Sequence, residues 1–212
     1  MSAQAGFAQA ARTQGRAALV TVVRSNGSPP VGAKLLLTAD GAREGTIGDP
    51  GLDDRGAEAA EELMWAERSE LREEGDVALF VDVTFPPPRI IIFGAVDYAG
   101  GLCRLARTCG WRPCIVDPRT KFATAERFPD AEEVVAAWPE EAFAQLGGID
   151  RATAIAVLTH DPKLDDAALI IALRSQAGYI GAMGSRRAQE SRRERLLAKG
   201  VTDEEMERIA PM

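Results

Sequence analysis

Histidine and cysteine are scarce in this chain: one histidine, His160, and three thiols, Cys103, Cys109 and Cys114, in 212 residues. The thiols show no C-x-x-C spacing and have a single imidazole to join them, which argues against a Cys/His zinc site. All three are expected as small apolar residues in or near the core, in a reducing compartment. Cys103 and Cys109 are predicted to point to different faces of one helix. No apolar run reaches membrane-spanning length, and Met1 to Gln14 lacks the basic-then-apolar order of a signal peptide. A cytoplasmic protein without a membrane span is therefore expected. Basic excess is missing too: 25 Lys and Arg face 32 Asp and Glu, a net charge of −7. That argues against nucleic acid or an acidic membrane as a general partner. There is no internal repeat and no low-complexity tract.

What is present is an ordinary globular composition, 46% apolar and 27% charged, and one strongly patterned stretch. Arg89 to Asp117 reads RIIIFGAVDYAGGLCRLARTCGWRPCIVD. An Ile-rich run, Arg89 to Phe93, stops at Gly94. Tyr98, Leu102, Leu105 and Cys109 then recur at spacings of three and four, which predicts the packed face of a helix. A second apolar run, Cys114 to Val116, closes on Asp117. Strand, glycine turn, helix, strand and acid in this order predict the opening βαβ unit of a dinucleotide-type fold. Asp117 falls roughly 20 residues beyond Gly94, near where a carboxylate meets a ribose hydroxyl. The turn itself departs from G-x-G-x-x-G, since Gly94-Ala95-Val96-Asp97-Tyr98-Ala99 keeps only the first glycine and a small last residue. Val96 puts two methyl groups where a pyrophosphate would approach, and Asp97 adds negative charge at the helix N-terminus. Asp97 is expected to cap that helix. Tight generic NAD binding is not expected.

Residues 1–85 read as a small α+β domain. Ala3 to Thr13 is predicted helical, packed through Phe7 and Ala10 or Ala11. Ala18 to Val23 and Lys34 to Thr38 are predicted strands, with a hairpin at Ala39 to Ala42 leading to a short strand over Glu44 to Gly48. A helix capped by Asp53 or Asp54 runs to about Ser69, and Asp76 to Phe85 alternates as a strand. Pro86-Pro87-Pro88 cannot join a sheet and marks the boundary. Residues 89–212 are expected as a Rossmann-like parallel sheet flanked by helices. Its further strands are placed at Glu133 to Ala136, Ala152 to Leu158 and, as the terminal strand, Tyr179 to Met183. Its further helices are placed at Trp138 to Gln145, Leu164 to Ser175, Gly184 to about Lys199, and a short one from Thr202.

In such a sheet ligands lie beyond the carboxyl ends of the strands, near the point where strand order reverses. That gathers Gly94 to Asp97, with Ala95; Asp117 to Arg119; the loop from Phe122 to Arg127; Thr159 to Lys163, with His160 and Asp161; and Gly184 to Arg187. Gly184-Ser185-Arg186-Arg187 is the strongest anion site, because a glycine turn, a capping hydroxyl and helix N–H groups can hold a phosphate that arginines clamp. The alternative is a capped helix with solvated arginines. His160 and Asp161 are the candidates for imidazole chemistry, although a lone histidine is more often structural. No nucleophile lies near them in sequence, and no metal ligand is assigned. Asp165 and Asp166 read more readily as a solvated helix start than as ligand groups. Trp65, Trp111 and Trp138 are candidate partner anchors, with core packing the expected role of each.

Ser28-Pro29-Pro30-Val31-Gly32-Ala33, the segment FATAERFPDA from Phe122, Leu158-Thr159-His160-Asp161 and the segment YIGAMGSRR from Tyr179 resemble the XdhC/CoxI family. The resemblance covers most of the chain and implies a small N-terminal domain followed by a Rossmann-like one. It further implies a maturation factor for molybdenum hydroxylases such as xanthine dehydrogenase and aerobic carbon monoxide dehydrogenase. Such a factor binds the molybdenum cofactor, whose molybdopterin is a pterin with a phosphate, and hands it over in sulfurated form. The implied partners are a sulfur donor protein and an apo molybdenum hydroxylase, and a homodimer is compatible with the chain. On this reading Ser185, Arg186 and Arg187 hold phosphate, while His160, Asp161 and the Phe122 to Arg127 loop face the pterin.

The chain also departs from the family pattern. Gly48-Asp49-Pro50-Gly51-Leu52-Asp53 carries no thiol where the family has a cysteine after paired glycines, and a second cysteine segment before Asp76 is absent. The turn at Gly94 replaces G-A-G-H, and the family sequence continues past Ile209-Ala210-Pro211-Met212. Two further readings are therefore carried. One is an NAD(P)-dependent oxidoreductase with Asp117 on the ribose and His160 as proton donor, Asp117 favouring NAD and Arg119 pulling the other way. The other is a scaffold that keeps the fold and a partner surface without binding a small molecule.

Overall fold

The computed structural model of the chain describes residues 2–211 and divides at Pro86/Pro87 into two compact units. The first contains α1 (Ala3–Arg12), β1 (Ala17–Arg24), β2 (Lys34–Thr38), β3 (Arg43–Thr46), α2 (Pro50–Trp65), β4 (Glu70–Glu74) and β5 (Val77–Thr84). Its sheet runs β3-β2-β1-β5-β4 with every pairing antiparallel. One face packs on α2 through Val20, Leu35, Leu37, Leu63, Leu79 and Val81. On the other face Phe7 and Ala10 of α1 rest on Leu19 and Leu36.

Asp49, and not Asp53 or Asp54, caps α2: its Oδ1 accepts from the N–H groups of Gly51 at 2.9 Å and Leu52 at 3.1 Å. Pro50 in the first helical position suits that start, having no N–H to leave orphaned. Asp53 instead accepts from the Ile47 N–H at 2.7 Å and the Thr46 hydroxyl at 2.8 Å, tying the helix to the strand before it. The helix ends at Trp65, short of Ser69, and β4 follows. Its sequence, Glu-Leu-Arg-Glu-Glu, hides a strand behind charge. It lies at a sheet edge, where charged side chains discourage further pairing.

The second unit contains β6 (Arg89–Phe93), α3 (Asp97–Thr108), β7 (Arg112–Val116), β8 (Glu133–Val135), α4 (Pro139–Leu146), β9 (Thr153–Val157), α5 (Pro162–Leu173), β10 (Tyr179–Ala182), α6 (Arg186–Ala198), α7 (Asp203–Met206) and β11 (Ile209–Pro211). The sheet is parallel throughout, ordered β11-β10-β9-β6-β7-β8. Counted within the unit this is the 3-2-1-4-5-6 order of dinucleotide-binding sheets, with its reversal between β6 and β9. The fold class is thus α/β and Rossmann-like, preceded by an α+β unit. β10 is not the terminal strand, since β11 pairs outside it.

The central strands are apolar on both faces, as a covered parallel sheet requires. Ile91, Phe93, Val116, Ile155 and Val157 share one core with Phe143, Leu169 and Leu173. Ile92, Ile115 and Ala156 share another with Ala99 and Cys103 of α3. Phe93 and Phe143 pack with ring centroids 5.1 Å apart, and a fully buried side chain of that size contributes about 1.5–3 kcal/mol.

The packed face of α3 is Ala99, Cys103 and Ala106, and of the larger set one residue away only Leu102 packs against that core, half-buried. Tyr98 and Cys109 lie outside and Leu105 is 66% exposed. Both sets repeat with helical period, and the smaller one lets the helix lie closer to the sheet. Cys109 is therefore no core residue. Cys103 and Cys114 are buried, and that burial pushes both thiols up to about 11. Trp138 precedes α4 and is 45% exposed, so it is not packed inside. Among the described residues no helix is long and apolar enough to cross a membrane.

Replacing Asp49 by Ala should remove the cap of α2 and lower stability by about 1 kcal/mol, read as a shifted urea midpoint. An unchanged midpoint would show that Asp49 does not hold the helix start.

Candidate functional site

The carboxyl ends of β7, β6, β9 and β10 carry neighbouring turns along one edge of the sheet. The turn after β6 is closed by the Gly94 N–H, which donates to Val116 O at 2.8 Å. Gly94 has φ +115°. A side-chain carbon there would come within 2.9 Å of Thr159 Cγ2 and 3.1 Å of the Thr159 nitrogen. Glycine is required because the turns after β6 and β9 touch at this point.

Asp117 directly follows β7 and is completely buried. Its Oδ2 accepts from the Ala95 N–H at 2.9 Å and from Arg119 Nη2 at 2.7 Å. Its Oδ1 accepts from the Arg119 N–H and Nε, both at 2.9 Å. A carboxylate offers about four acceptor positions, and all are used. Burial would raise this carboxyl, but the Arg119 side chain, the two N–H groups and the Arg119 charge outweigh it and hold it below the ordinary 3.8. Asp117 is thus committed to the glycine turn, leaving nothing for a ribose hydroxyl.

Around it lies a cation–aromatic cluster. The clamped Arg119 guanidinium sits 4.7 Å from the centre of the Phe122 ring, itself 43% exposed. Arg127 lies 5.4 Å from the same ring and from Phe128. Its Nη1 donates to Ala95 O at 3.2 Å and Phe122 O at 3.0 Å, and its Nη2 to Asp97 Oδ1 at 3.0 Å. Arg127 therefore braces its loop against the turn. Asp97 does not cap α3, whose cap position is Val96 with no side-chain bond. Asp97 is already inside the first turn, and it pairs with Arg127 instead.

After β9, Thr159 is buried while His160 and Asp161 are exposed. Asp161 caps α5, accepting from the Lys163 N–H at 2.9 Å. His160 makes no hydrogen bond or ion pair among the described residues. Asp165 and Asp166 are buried, not a solvated helix start. Asp166 accepts from Arg195 at 3.0 Å and from Lys199 at 2.8 Å. Asp165 accepts the Thr159 hydroxyl at 2.6 Å and lies 3.6 Å from Arg192. Burial leaves the Asp165 carboxyl above its ordinary value despite Thr159 and Arg192. Tyr98, counted in sequence as a core position, donates its hydroxyl to Leu158 O at 2.8 Å and so ties α3 to the end of β9.

After β10, Gly184 has φ +156°, and Ser185 caps α6 by accepting from the Ala188 N–H at 3.3 Å. Gln189 Nε2 donates to Gly184 O at 3.0 Å and holds the turn shut. Arg186 and Arg187 are exposed and make no ion pair among the described residues. Their N–H groups sit in the first helical turn, where the helix supplies no acceptor. This turn joins a helix N-terminus to two arginines without an ion pair, and Lys163, exposed in the first turn of α5, likewise makes none among the described residues. Arg119 and Arg127 are committed, Gly94 and Ala95 are buried, and Asp97 is exposed but paired with Arg127. Sequence reasoning missed Arg192, hidden in an arginine-rich run. The available signal was its spacing of four from Leu196, the other buried residue of α6.

A six-stranded parallel sheet with this order, flanked by helices, defines a Rossmann-like unit. Residues 90–211 match the XdhC Rossmann domain and residues 10–74 match the XdhC and CoxI family. The chain belongs to that family. It is 29% identical over 107 residues to a probable xanthine dehydrogenase subunit of Bacillus subtilis (strain 168), covering 50% of this chain and 32% of that protein. A solved xanthine dehydrogenase structure from Bacillus halodurans shares the fold, with a TM-score of 0.58 at 22% identity over 91% of this chain and 54% of that one. The chain thus spans about a third of the length of the curated relative and about half of the solved one.

The Asp117 carboxyl is held below its unfolded value. Its contribution to stability is therefore full above about pH 4 and is lost as pH falls through the folded value. Asp117→Asn should lower the melting temperature at pH 7 and shrink the further drop between pH 5 and pH 3. A mutant whose acid limb runs parallel to the wild type would contradict the assignment.

Proposed function

We propose that this chain is an accessory factor for a molybdenum hydroxylase, binding the molybdenum cofactor by its phosphate and passing it to the apo-enzyme. The observation that carries this is the turn Gly184 to Arg187, with Ser185 at the cap and two uncommitted guanidiniums at the start of α6. Phosphate suits this donor set: first-turn N–H groups, the Ser185 hydroxyl hydrogen and bidentate arginines all favour a multiply charged oxyanion. Adjacent strands are about 4.8 Å apart, so a ligand with its phosphate at β10 reaches across His160 at β9 towards β6. Further on, the Arg119–Phe122 cluster offers a flat cationic and aromatic surface to a fused ring. When bound, the cofactor is the redox centre destined for the client enzyme. The residues here bind it, orient it and exclude water.

The Bacillus subtilis relative, named for xanthine dehydrogenase, supports an enzyme of that kind as the client. A sulfur donor protein as second partner is part of the same proposal. No thiol stands at this edge: Cys103 and Cys114 are buried, and Cys109 closes the far end of α3. A hold on molybdenum or sulfur through cysteine is therefore not part of the reading. The NAD(P) reading is disfavoured by the saturated Asp117 and by Val96 in the turn. The scaffold reading predicts a partner without a ligand.

Adding molybdenum cofactor at one hundred times its dissociation constant should raise stability by about 2.7 kcal/mol, visible as a higher melting temperature. The double substitution Arg186→Ala with Arg187→Ala should abolish the shift without lowering the unliganded melting point. A shift with NADH alone would support the oxidoreductase. No shift with either ligand, together with retained binding to an apo-hydroxylase, would support the scaffold.

A further inference from the structure

Beneath the turns after β6, β9 and β10 runs a chain of buried polar contacts that no surface view reveals. Arg192, in the second turn of α6, has a side chain only 5% exposed. Its Nη2 donates to Met183 O at 2.6 Å and lies 3.6 Å from Asp165 Oδ2, on a side chain equally buried. Asp165 Oδ1 accepts the Thr159 hydroxyl at 2.6 Å, and Thr159 Oγ1 accepts the Asp161 N–H at 3.0 Å. Thr159 is also the residue against which Gly94 packs. At the other end, a side-chain carbon on Gly184 would come within 3.5 Å of Arg192 Nη2. The guanidinium therefore lies against the back of the anion turn.

This arrangement is costly for packing alone. The Arg192 Nε is buried with no partner among the described residues. Replacing such a buried pair by apolar side chains is often neutral or stabilising. What the pair supplies and an apolar plug would not is direction, because each contact fixes the next.

We propose that Thr159, Asp165 and Arg192 form a buried relay coupling the β9 and β10 turns, so that an anion seated at Gly184 to Arg187 sets the posture of Thr159 to Asp161. The ligand half of this inference rests on the phosphate reading of the β10 turn. The mechanical half does not. Coupling of this kind is reciprocal, so a group bound over His160 and Asp161 strengthens the hold on the anion by the same factor. Arg192 and Asp165 are positioning residues, acting from behind the backbone. The uncommitted Arg186 and Arg187 on the front make the contact.

The test is amide NMR on the full chain with inorganic pyrophosphate as probe. In the wild type, pyrophosphate should move the amides of Gly184 to Ala188 and also those of Thr159 to Asp161. In Thr159→Val, which keeps the shape and removes the hydroxyl, the response at Gly184 to Ala188 should remain and the remote response should vanish. The affinity should fall about tenfold, within the usual range of coupling between sites. Arg192→Gln should do the same, and Arg192→Lys should restore part of the remote response. A Thr159→Val protein that answers at both turns with unchanged affinity overturns the relay. If pyrophosphate moves nothing in the wild type, the phosphate reading fails, and the relay is judged without ligand. Thr159→Val must then move the Met183 and Gly184 amides, to which Thr159 makes no hydrogen bond. Changes confined to the β9 turn overturn the proposal.

Discussion

The buried carboxylate of Asp117 is the constraint on which this carboxyl edge depends. It holds the Ala95 N–H on one oxygen and the Arg119 guanidinium across both, fixing the turn after β6 and the loop after β7 together. A dinucleotide-type sheet usually leaves that acid free to meet a ribose. Here its acceptor positions are filled from within the protein. The turn after β6 and the loop after β7 are thereby tied to each other from within, whereas the turn after β10 carries Arg186 and Arg187 with no ion pair among the described residues.

The distribution of charge follows the same division. The chain carries a net −7, yet four arginines stand at this edge. Arg119 and Arg127 are committed to Asp117 and Asp97, while Arg186 and Arg187 are not. Buried acids are answered individually: Asp166 by Arg195 and Lys199, Asp165 by Arg192 and Thr159. On the proposed reading, two arginines at a helix N-terminus in an acidic protein, unpaired among the described residues, suit a small, multiply charged anion better than a polyanion, which the net negative charge would repel.

Much of the fold is legible in the sequence because its strands are apolar runs broken by glycine. β2 and β6 begin and end where composition places them, and the βαβ order announces the parallel sheet. Two strands stay hidden for opposite reasons: β4 is an edge strand written in charge, and β11 is only three residues long. Periodicity sets the face of α3 one residue off because Leu and Tyr dominate the pattern, while Ala99, Cys103 and Ala106, with Leu102 beside them, do the packing. The turn residues can be located from sequence, but not their employment. Whether Asp117 faces a ligand or an amide depends on Arg119 two residues on. Whether Asp97 caps a helix depends on a single residue of helix start. The burial of Asp165 depends on Arg192, on another helix, and nothing local in the sequence signals it.

The central claim is that phosphate is received at the start of α6 and not at the glycine turn after β6. The most direct test is a crystal structure with a phosphate-bearing pterin. The phosphate is predicted to lie against the N–H groups of Arg186 and Arg187 and the Ser185 hydroxyl, with Asp117 still holding Ala95 and Arg119. Density for the phosphate over Gly94 to Val96, with the Asp117–Arg119 clamp opened, would contradict the account.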